Sequence, residues 1–164
     1  FINKNKNLHK GMSLIEVIIG SAIILTSVSA IIGLYGNLTS MSLRNTVKVQ
    51  ASMILDESTE IIRVMRDGSW SQNIATLSND QDYYFYWNSS TWSATTTPQV
   101  ISNIFYRKFT LSSVYRDNTN FDIVGSGGVQ DFDTRKVEIE VSWFDGVATS
   151  SRSTEMYIHN IYSN

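Results

Sequence analysis

Glu16 is the residue whose chemistry most needs an explanation, because its carboxylate stands at the start of the most apolar stretch of the chain. After it, no charged residue occurs until Arg44. A carboxylate is costly in apolar surroundings unless it meets a cation or suitable hydrogen-bond donors. The position of Glu16 therefore calls for a physical reason.

The groups that usually perform enzymatic catalysis are scarce in this sequence. There is no cysteine, which excludes disulfides, thiolate metal sites and cysteine nucleophiles. The two histidines, His9 and His159, lie near opposite ends of the chain. Nucleophile-elbow, phosphate-loop and histidine-based zinc motifs are also absent. The sequence therefore predicts a protein that is not an enzyme.

One loop rich in Asp and Asn is a candidate for binding calcium. Asp117, Asn120 and Asp122 offer the oxygen ligands that this ion prefers. The spacing departs from the EF-hand pattern, however, since Thr119 and Phe121 fall at its second and third ligand positions. Asp and Asn also stabilise ordinary turns. We expect no cofactor, and we keep calcium at these three residues as the alternative.

Length and composition fit one modest domain with an appended segment. The chain has 164 residues, of which 42% are hydrophobic, and a net charge of -2. This charge gives no electrostatic reason to expect nucleic acid as an obligate partner.

The N-terminal region has the composition of a membrane anchor. Lys4, Lys6 and Lys10 make its first residues basic, with no acid among residues 3–10. Residues 17–36 follow as an apolar run that, as a helix, is about 30 Å long and matches the hydrocarbon core of a bilayer. The basic leader predicts a cytoplasmic N-terminus and a translocated C-terminal region.

Helical periodicity continues beyond the apolar run but narrows to one stripe. In residues 44–66 the positions at helical spacing are Val47, Ala51, Ile54, Leu55, Ser58, Ile61, Ile62 and Met65. Charged side chains occupy the positions between them, as in a helix with one face against a packed domain. The simplest prediction is one continuous helix over residues 13–66, about 80 Å long.

The remaining residues, 67–164, predict a β-rich domain. Strands are expected at residues 83–87, 91–94, 100–115, 121–124, 135–144 and 153–162, with the third broken or bulged near Asn103. Successive strands joined by short turns indicate an antiparallel sheet, and the helical stripe is the natural cover for its apolar face. The predicted fold class is α+β, a long N-terminal α-helix packed on an antiparallel β-sheet.

Two common kinds of N-terminal segment compete for residues 1–43. One is a cleavable secretory signal with Val28-Ser29-Ala30 as its small-residue cleavage site. The other is a plain single-pass anchor. Neither accounts for Glu16, because an acid near the start of the apolar run only weakens insertion.

The stretch Gly11-Met12-Ser13-Leu14-Ile15-Glu16-Val17 resembles the processing site of type IV prepilins and type II secretion pseudopilins. In that family a short basic leader ends in Gly, a membrane aspartyl peptidase cuts after this Gly and methylates the new amine, and the fifth mature residue is Glu. The resemblance covers residues 9–36 and places the cut between Gly11 and Met12. Met12 stands where Phe is more usual.

The resemblance implies a structural subunit of a filament, most similar to a minor pilin or pseudopilin. Its segments are a leader (1–11), a transmembrane and assembly helix (12–43), the amphipathic half of that helix (44–66) and a globular head (67–164). Glu16 would meet the amine of Met12 freed on an adjoining subunit. The alternative is that Glu16 lies at the membrane interface and its carboxylate reaches water.

The implied partners are the prepilin peptidase, other pilin or pseudopilin subunits, the inner-membrane assembly platform and, before assembly, the lipid bilayer. The chain would span the cytoplasmic membrane once, with its head outside, and then enter an extracellular or periplasmic filament. The alternative, from another class, is a membrane-anchored extracytoplasmic binding domain that does not polymerise.

Overall fold

The computed structural model of this chain describes residues 12–162, so the predictions at Lys4, Lys6, Lys10 and Gly11 lie outside the described residues. The described chain contains helix α1 (Leu14–Gly68), a short helix α2 (Trp70–Asn73) and seven strands. The strands are β1 (Tyr83–Trp87), β2 (Trp92–Thr95), β3 (Val100–Ile101), β4 (Phe105–Arg116), β5 (Ile123–Val124), β6 (Val129–Phe144) and β7 (Thr149–His159). The chain divides into two compact units between Asn45 and Thr46.

The first unit, over residues 12–45, is the N-terminal part of α1. Its sequence has no proline, so no backbone donor is missing from the helical ladder. All its side chains are exposed, although most of them are apolar. This segment therefore forms a helix without any core of its own.

The second unit is an antiparallel sheet covered on one face by the C-terminal part of α1. The strand order is β2-β1-β4-β6-β7, and both β3 and β5 pair with β4. Every pairing is antiparallel. The long helix and the antiparallel sheet together confirm the predicted α+β fold class.

The core confirms the predicted packing of the helical stripe on the sheet. One cluster joins Ile61, Ile62 and Met65 of α1 to sheet residues that include Phe109, Leu111, Val137, Ile139 and Ile158. A second cluster joins Ala51 to Phe105, Val141 and Trp143, with Val47 and Ile54 packed against it. The burial of these apolar side chains is the main source of stability for this unit.

The strand bounds agree with the predictions in part, and the largest differences are in β6 and β7. The break near Asn103 is confirmed, because Ser102 and Asn103 both have positive φ angles (51° and 57°), which separates β3 from β4. The start of the 135–144 strand was predicted too late: β6 begins at Val129 because pairing with β4 resumes beyond a register shift at Ser113/Val114. Both limits of the last strand also fall earlier than predicted, because a tight turn after Asp145 returns the chain to β6 at Thr149.

Arg107 is a buried charge that the sequence prediction missed. It is only 6% exposed and lies at an inward position of β4. Its guanidinium carbon lies 4.8 Å from the ring centroid of Phe85 and 5.6 Å from that of Trp92. Its Nη1 lies 3.5 Å from both Ser58 Oγ and Glu57 Oε1. Burial lowers the pKa of Arg107 below its usual range, although the Glu57 carboxylate opposes the shift.

Candidate functional site

Glu16 lies in the first turn of α1, where its side chain folds back on the helix start. Glu16 Oε2 accepts a hydrogen bond of 2.9 Å from the backbone N–H of Ser13. The first helical turn closes on the Ser13 carbonyl, which accepts from the N–H of Glu16 at 3.0 Å. Ser13 therefore stands at the N-cap and Glu16 three residues later, the spacing of a capping box.

This hydrogen bond corrects the expectation that ordinary anchors give no reason for Glu16. A carboxylate at this position satisfies a backbone donor that has no partner inside the helix, and it interacts favourably with the helix dipole. The signal was present in the sequence as Ser13-x-x-Glu16 before an apolar run. Glu16 thus has a local structural role whether or not it also meets a cation.

The apolar residues that follow Glu16 form a continuous exposed surface. The exposed large side chains of this surface include Val17, Ile18, Ile19, Ile23, Ile24, Leu25, Val28, Ile31, Ile32, Leu34 and Leu38. Within residues 12–162, α1 is the one helix long and apolar enough to cross a membrane, judged by length and composition. So much exposed apolar area is unfavourable in water and requires cover by lipid or protein.

The hydroxyl groups inside this apolar segment are satisfied by the helix itself. Their O–H groups donate to backbone carbonyls three or four residues earlier, as seen for Ser21, Thr26, Ser27, Ser29, Thr39 and Ser40. Such back-bonding removes the need for water as a partner. The segment is therefore suited to a surrounding without water, even at its polar positions.

Met12, the residue that would carry the new amine, is the first residue that the structure describes and is 80% exposed. Gly11 and the lysines of the leader lie outside the described residues. Along the chain, Met12 lies two residues before the start of α1 at Leu14 and four residues before Glu16.

The Asp and Asn side chains of the candidate calcium loop bond to the loop itself. Asp117 Oδ1 accepts from the N–H groups of Thr119 (2.6 Å) and Asn120 (3.3 Å), which hold the pKa of Asp117 below its usual range. Asn120 Nδ2 donates to Asp122 Oδ2 at 2.7 Å. Among the described residues, no group of three Asp, Glu, His or Cys side chains is arranged to hold a metal ion.

His159 belongs to a hydrogen-bonded group at the end of β7. Its Nδ1 lies 3.0 Å from Thr134 Oγ1, which donates to Asp131 Oδ2 at 2.6 Å. Asp131 also accepts from Arg116 Nε at 2.6 Å. Desolvation acts to raise the pKa of Asp131, but the hydrogen bonds from Thr134 and Arg116 hold it below its usual range. These contacts join the ends of β4, β6 and β7 in a structural network.

No family model, curated protein or solved structure matches this chain. The structure itself establishes an architecture and not a family. This architecture, a long N-terminal helix on an antiparallel sheet, is compatible with a pilin-like fold.

Proposed function

We propose that this chain is a non-enzymatic structural subunit of a type IV pilus-like or secretion pseudopilus filament. The observation that carries the proposal is the start of α1, where an acid in the first turn precedes a helix that exposes apolar side chains on every side. The same helix continues into a packed head. A subunit that leaves lipid for a filament needs this combination, because neighbouring helices replace the lipid around the apolar surface.

In this proposal the subunit waits in the cytoplasmic membrane with its N-terminus inside and its head outside. The prepilin peptidase removes the leader after Gly11, and an assembly platform moves the subunit into the filament. Glu16 then meets the Met12 amine of an adjoining subunit. The hydrogen bond from Ser13 engages Oε2 of Glu16. A carboxylate has about four acceptor sites on its two oxygens, so it can accept this bond and an ammonium group together.

Processing is tested by changing the residue before the cut. Gly11→Val places a branched side chain at the bond that the peptidase must reach, and we expect the precursor to remain uncut. Mass spectrometry of the wild-type chain should find N-methylated Met12 as the first residue. A mature N-terminus at Ile31 would instead show cleavage of a secretory signal after Ala30.

Assembly is tested by the charge of Glu16. Glu16→Gln keeps the shape and the acceptor for the Ser13 N–H but removes the negative charge. We expect normal processing and membrane insertion of this variant and a strong loss from sheared, purified filaments, measured as the amount of this chain per filament mass. Incorporation at the wild-type level would show that the charge is not needed and that capping is the whole role of Glu16.

The second candidate is a membrane-anchored extracytoplasmic binding domain that does not polymerise. It is favoured by a groove of about 330 Å³ between the end of α1 and the β1–β2 hairpin, lined in part by Val64, Trp87 and Trp92. Exposed tryptophans are common in binding surfaces, and Trp87 is 49% exposed. Absence of the chain from sheared filaments, with all of it in the membrane fraction, would favour this candidate.

A further inference from the structure

The connection between β6 and β7 presents an apolar tip to solvent at one end of the sheet. Val147 is 81% exposed and Phe144 is 65% exposed. The turn beneath them is well fixed, because Asp145 Oδ1 accepts 3.0 Å hydrogen bonds from the N–H groups of Val147 and Ala148. We call residues 144–148 the hairpin tip. It is a pre-formed apolar projection, which loses little conformational freedom on binding.

A cavity of about 240 Å³ lies at the other end of the same sheet. Phe121 and Val129 contribute its apolar lining and are 70% and 59% exposed. The Phe121 carbonyl accepts from Arg116 Nη1 at 2.9 Å, and its N–H donates to the Asp117 carbonyl at 3.1 Å. These bonds fix one wall. We call this the far-end cavity; its size is sufficient for a branched aliphatic side chain.

The hairpin tip cannot reach the far-end cavity of its own chain. Strand β4 runs from Phe105, opposite Trp143 beside the tip, to Arg116, opposite Val129 at the cavity. Its 12 residues extend over about 40 Å. A projection and a cavity at opposite ends of one unit can meet only between two copies.

Charge favours the same pairing of the two ends. Asp122 and Asp133 are exposed near the far-end cavity, Asp117 is half-buried in its lining, and the nearby Arg116 is already bonded to Asp131. At the other end, Arg152 is exposed, with one guanidinium nitrogen 3.1 Å from Ser52 Oγ. The hairpin tip has one acid, Asp145, which keeps its negative charge while its carboxylate accepts hydrogen bonds from the turn and from Ser150. The far end therefore carries an excess of acids, whereas the charges named at the tip end balance, and the exposed Arg152 can face the acids of a second copy.

We propose that the hairpin tip of one copy docks in the far-end cavity of a second copy, with Val147 inserted between Phe121 and Val129. The two surfaces differ, so the contact is heterologous and leaves one free tip and one free cavity on every pair. It therefore propagates. This inference rests on the proposed filament function and names the head surfaces that adjoining subunits share.

The test uses thiols, because the natural chain has none. Two full-length variants, Val147→Cys and Val129→Cys, are produced together in the same cells with different epitope tags. Mild oxidation is applied to the membrane and filament fractions. Disulfides require Cβ atoms about 4 Å apart, so only docked copies should form them. We expect a hetero-dimer of the two variants, with little dimer when either variant is produced alone.

The matched control pairs Val129→Cys with Ser153→Cys, which is exposed in the middle of β7. We expect the Val147→Cys pair to give about tenfold more dimer than this control, since a docked contact raises the effective concentration of the two thiols.

Three results would overturn the contact. Dimers from Val147→Cys alone would indicate an isologous interface, and filaments that contain both variants without the hetero-dimer would show that the head surfaces lie elsewhere. Quenching of a fluorophore on Val147→Cys by spin-labelled lipid, without dimer, would show that the tip binds the bilayer. Absence of the chain from filaments would instead refute the proposed function. The contact would then be judged in the membrane fraction, where the hetero-dimer of Val147→Cys and Val129→Cys would support it and the lack of this hetero-dimer would refute it.

Discussion

The two parts of α1 belong to one helix but differ in the surroundings that their side chains require. Before Asn45 every described side chain is exposed, and most are apolar. After Thr46 the helix buries Ala51, Ser58, Ile61, Ile62 and Met65 against the sheet. Its charged residues lie on or beside the opposite face. The change occurs without any interruption of the helical hydrogen bonds between Leu14 and Gly68.

Helix propensity therefore says little about what a helical segment does. Both parts satisfy their backbone internally, so the surroundings that each requires are set by side chains alone. The first part needs an apolar environment from outside the chain, whereas the second finds it in its own sheet. Substitutions should therefore affect folding in the second part and insertion or assembly in the first.

The largest expected effect comes from placing a charge in the second part. Ile62 is fully buried. Ile62→Asp removes apolar contacts and leaves a carboxylate without water, a cost of several kcal/mol against a total stability of about 5–15 kcal/mol. We expect the full-length variant in detergent to lose the near-ultraviolet circular dichroism of its packed aromatic residues while it still fractionates with membranes.

Val64 supplies the matched control for this substitution, since it lies two residues later on α1 and is 57% exposed. Val64→Asp should leave the melting temperature nearly unchanged, because surface substitutions usually change stability by less than about 0.5 kcal/mol. Equal melting of the two variants would show that the helix presents a different face to the sheet.

An intermediate effect is expected at Arg107, which packs against the second part of α1 through Ser58 and Glu57. Arg107→Ala removes its stacking on Phe85 and Trp92 and opens a cavity, so we expect destabilisation of about 1–3 kcal/mol. Arg107→Met keeps the apolar volume and removes the desolvated charge, which should be close to neutral. Thermal melts of both variants decide this, and an equal loss in the two variants would show that the polar contacts of the guanidinium, which both variants lack, outweigh the packing.

The sequence predicted the features that depend on periodicity. The stripe from Ala51 to Met65 was predicted as the helical face of the core, and the predicted strand at residues 135–144 lies within β6, which supplies part of the other face. Prediction from the sequence failed where the burial of a residue depends on neighbours that are distant along the chain. Arg107 has the same inward spacing as Phe105 and Phe109, but only the fold brings two aromatic rings and a hydroxyl to its guanidinium.

The prediction of the strand limits failed for a related reason. The start of β6 at Val129 depends on its partner β4 and on the register shift between Ser113 and Val114, neither of which is a local signal. At Glu16 the signal for the bond from the Ser13 N–H was local, because Ser13-x-x-Glu16 has the spacing of a capping box. The assembly role of Glu16 stays a prediction.

The smallest expected effect separates capping from charge at Glu16. Glu16→Ala removes the acceptor for the Ser13 N–H, whereas Glu16→Gln keeps an acceptor oxygen at nearly the same place. Loss of a cap typically costs about 0.5–2 kcal/mol and is felt within the first turn. In amide hydrogen exchange of the full-length chain in bilayer discs, the Ser13 amide should therefore exchange severalfold faster in Glu16→Ala and nearly as in wild type in Glu16→Gln. Amides of the second unit, such as that of Ile139, should be unchanged in both variants. If the Ser13 amide of the Gln variant exchanges as fast as that of the Ala variant, the charge itself stabilises the first turn. Loss of the Gln variant from filaments would then no longer be evidence for a contact between subunits.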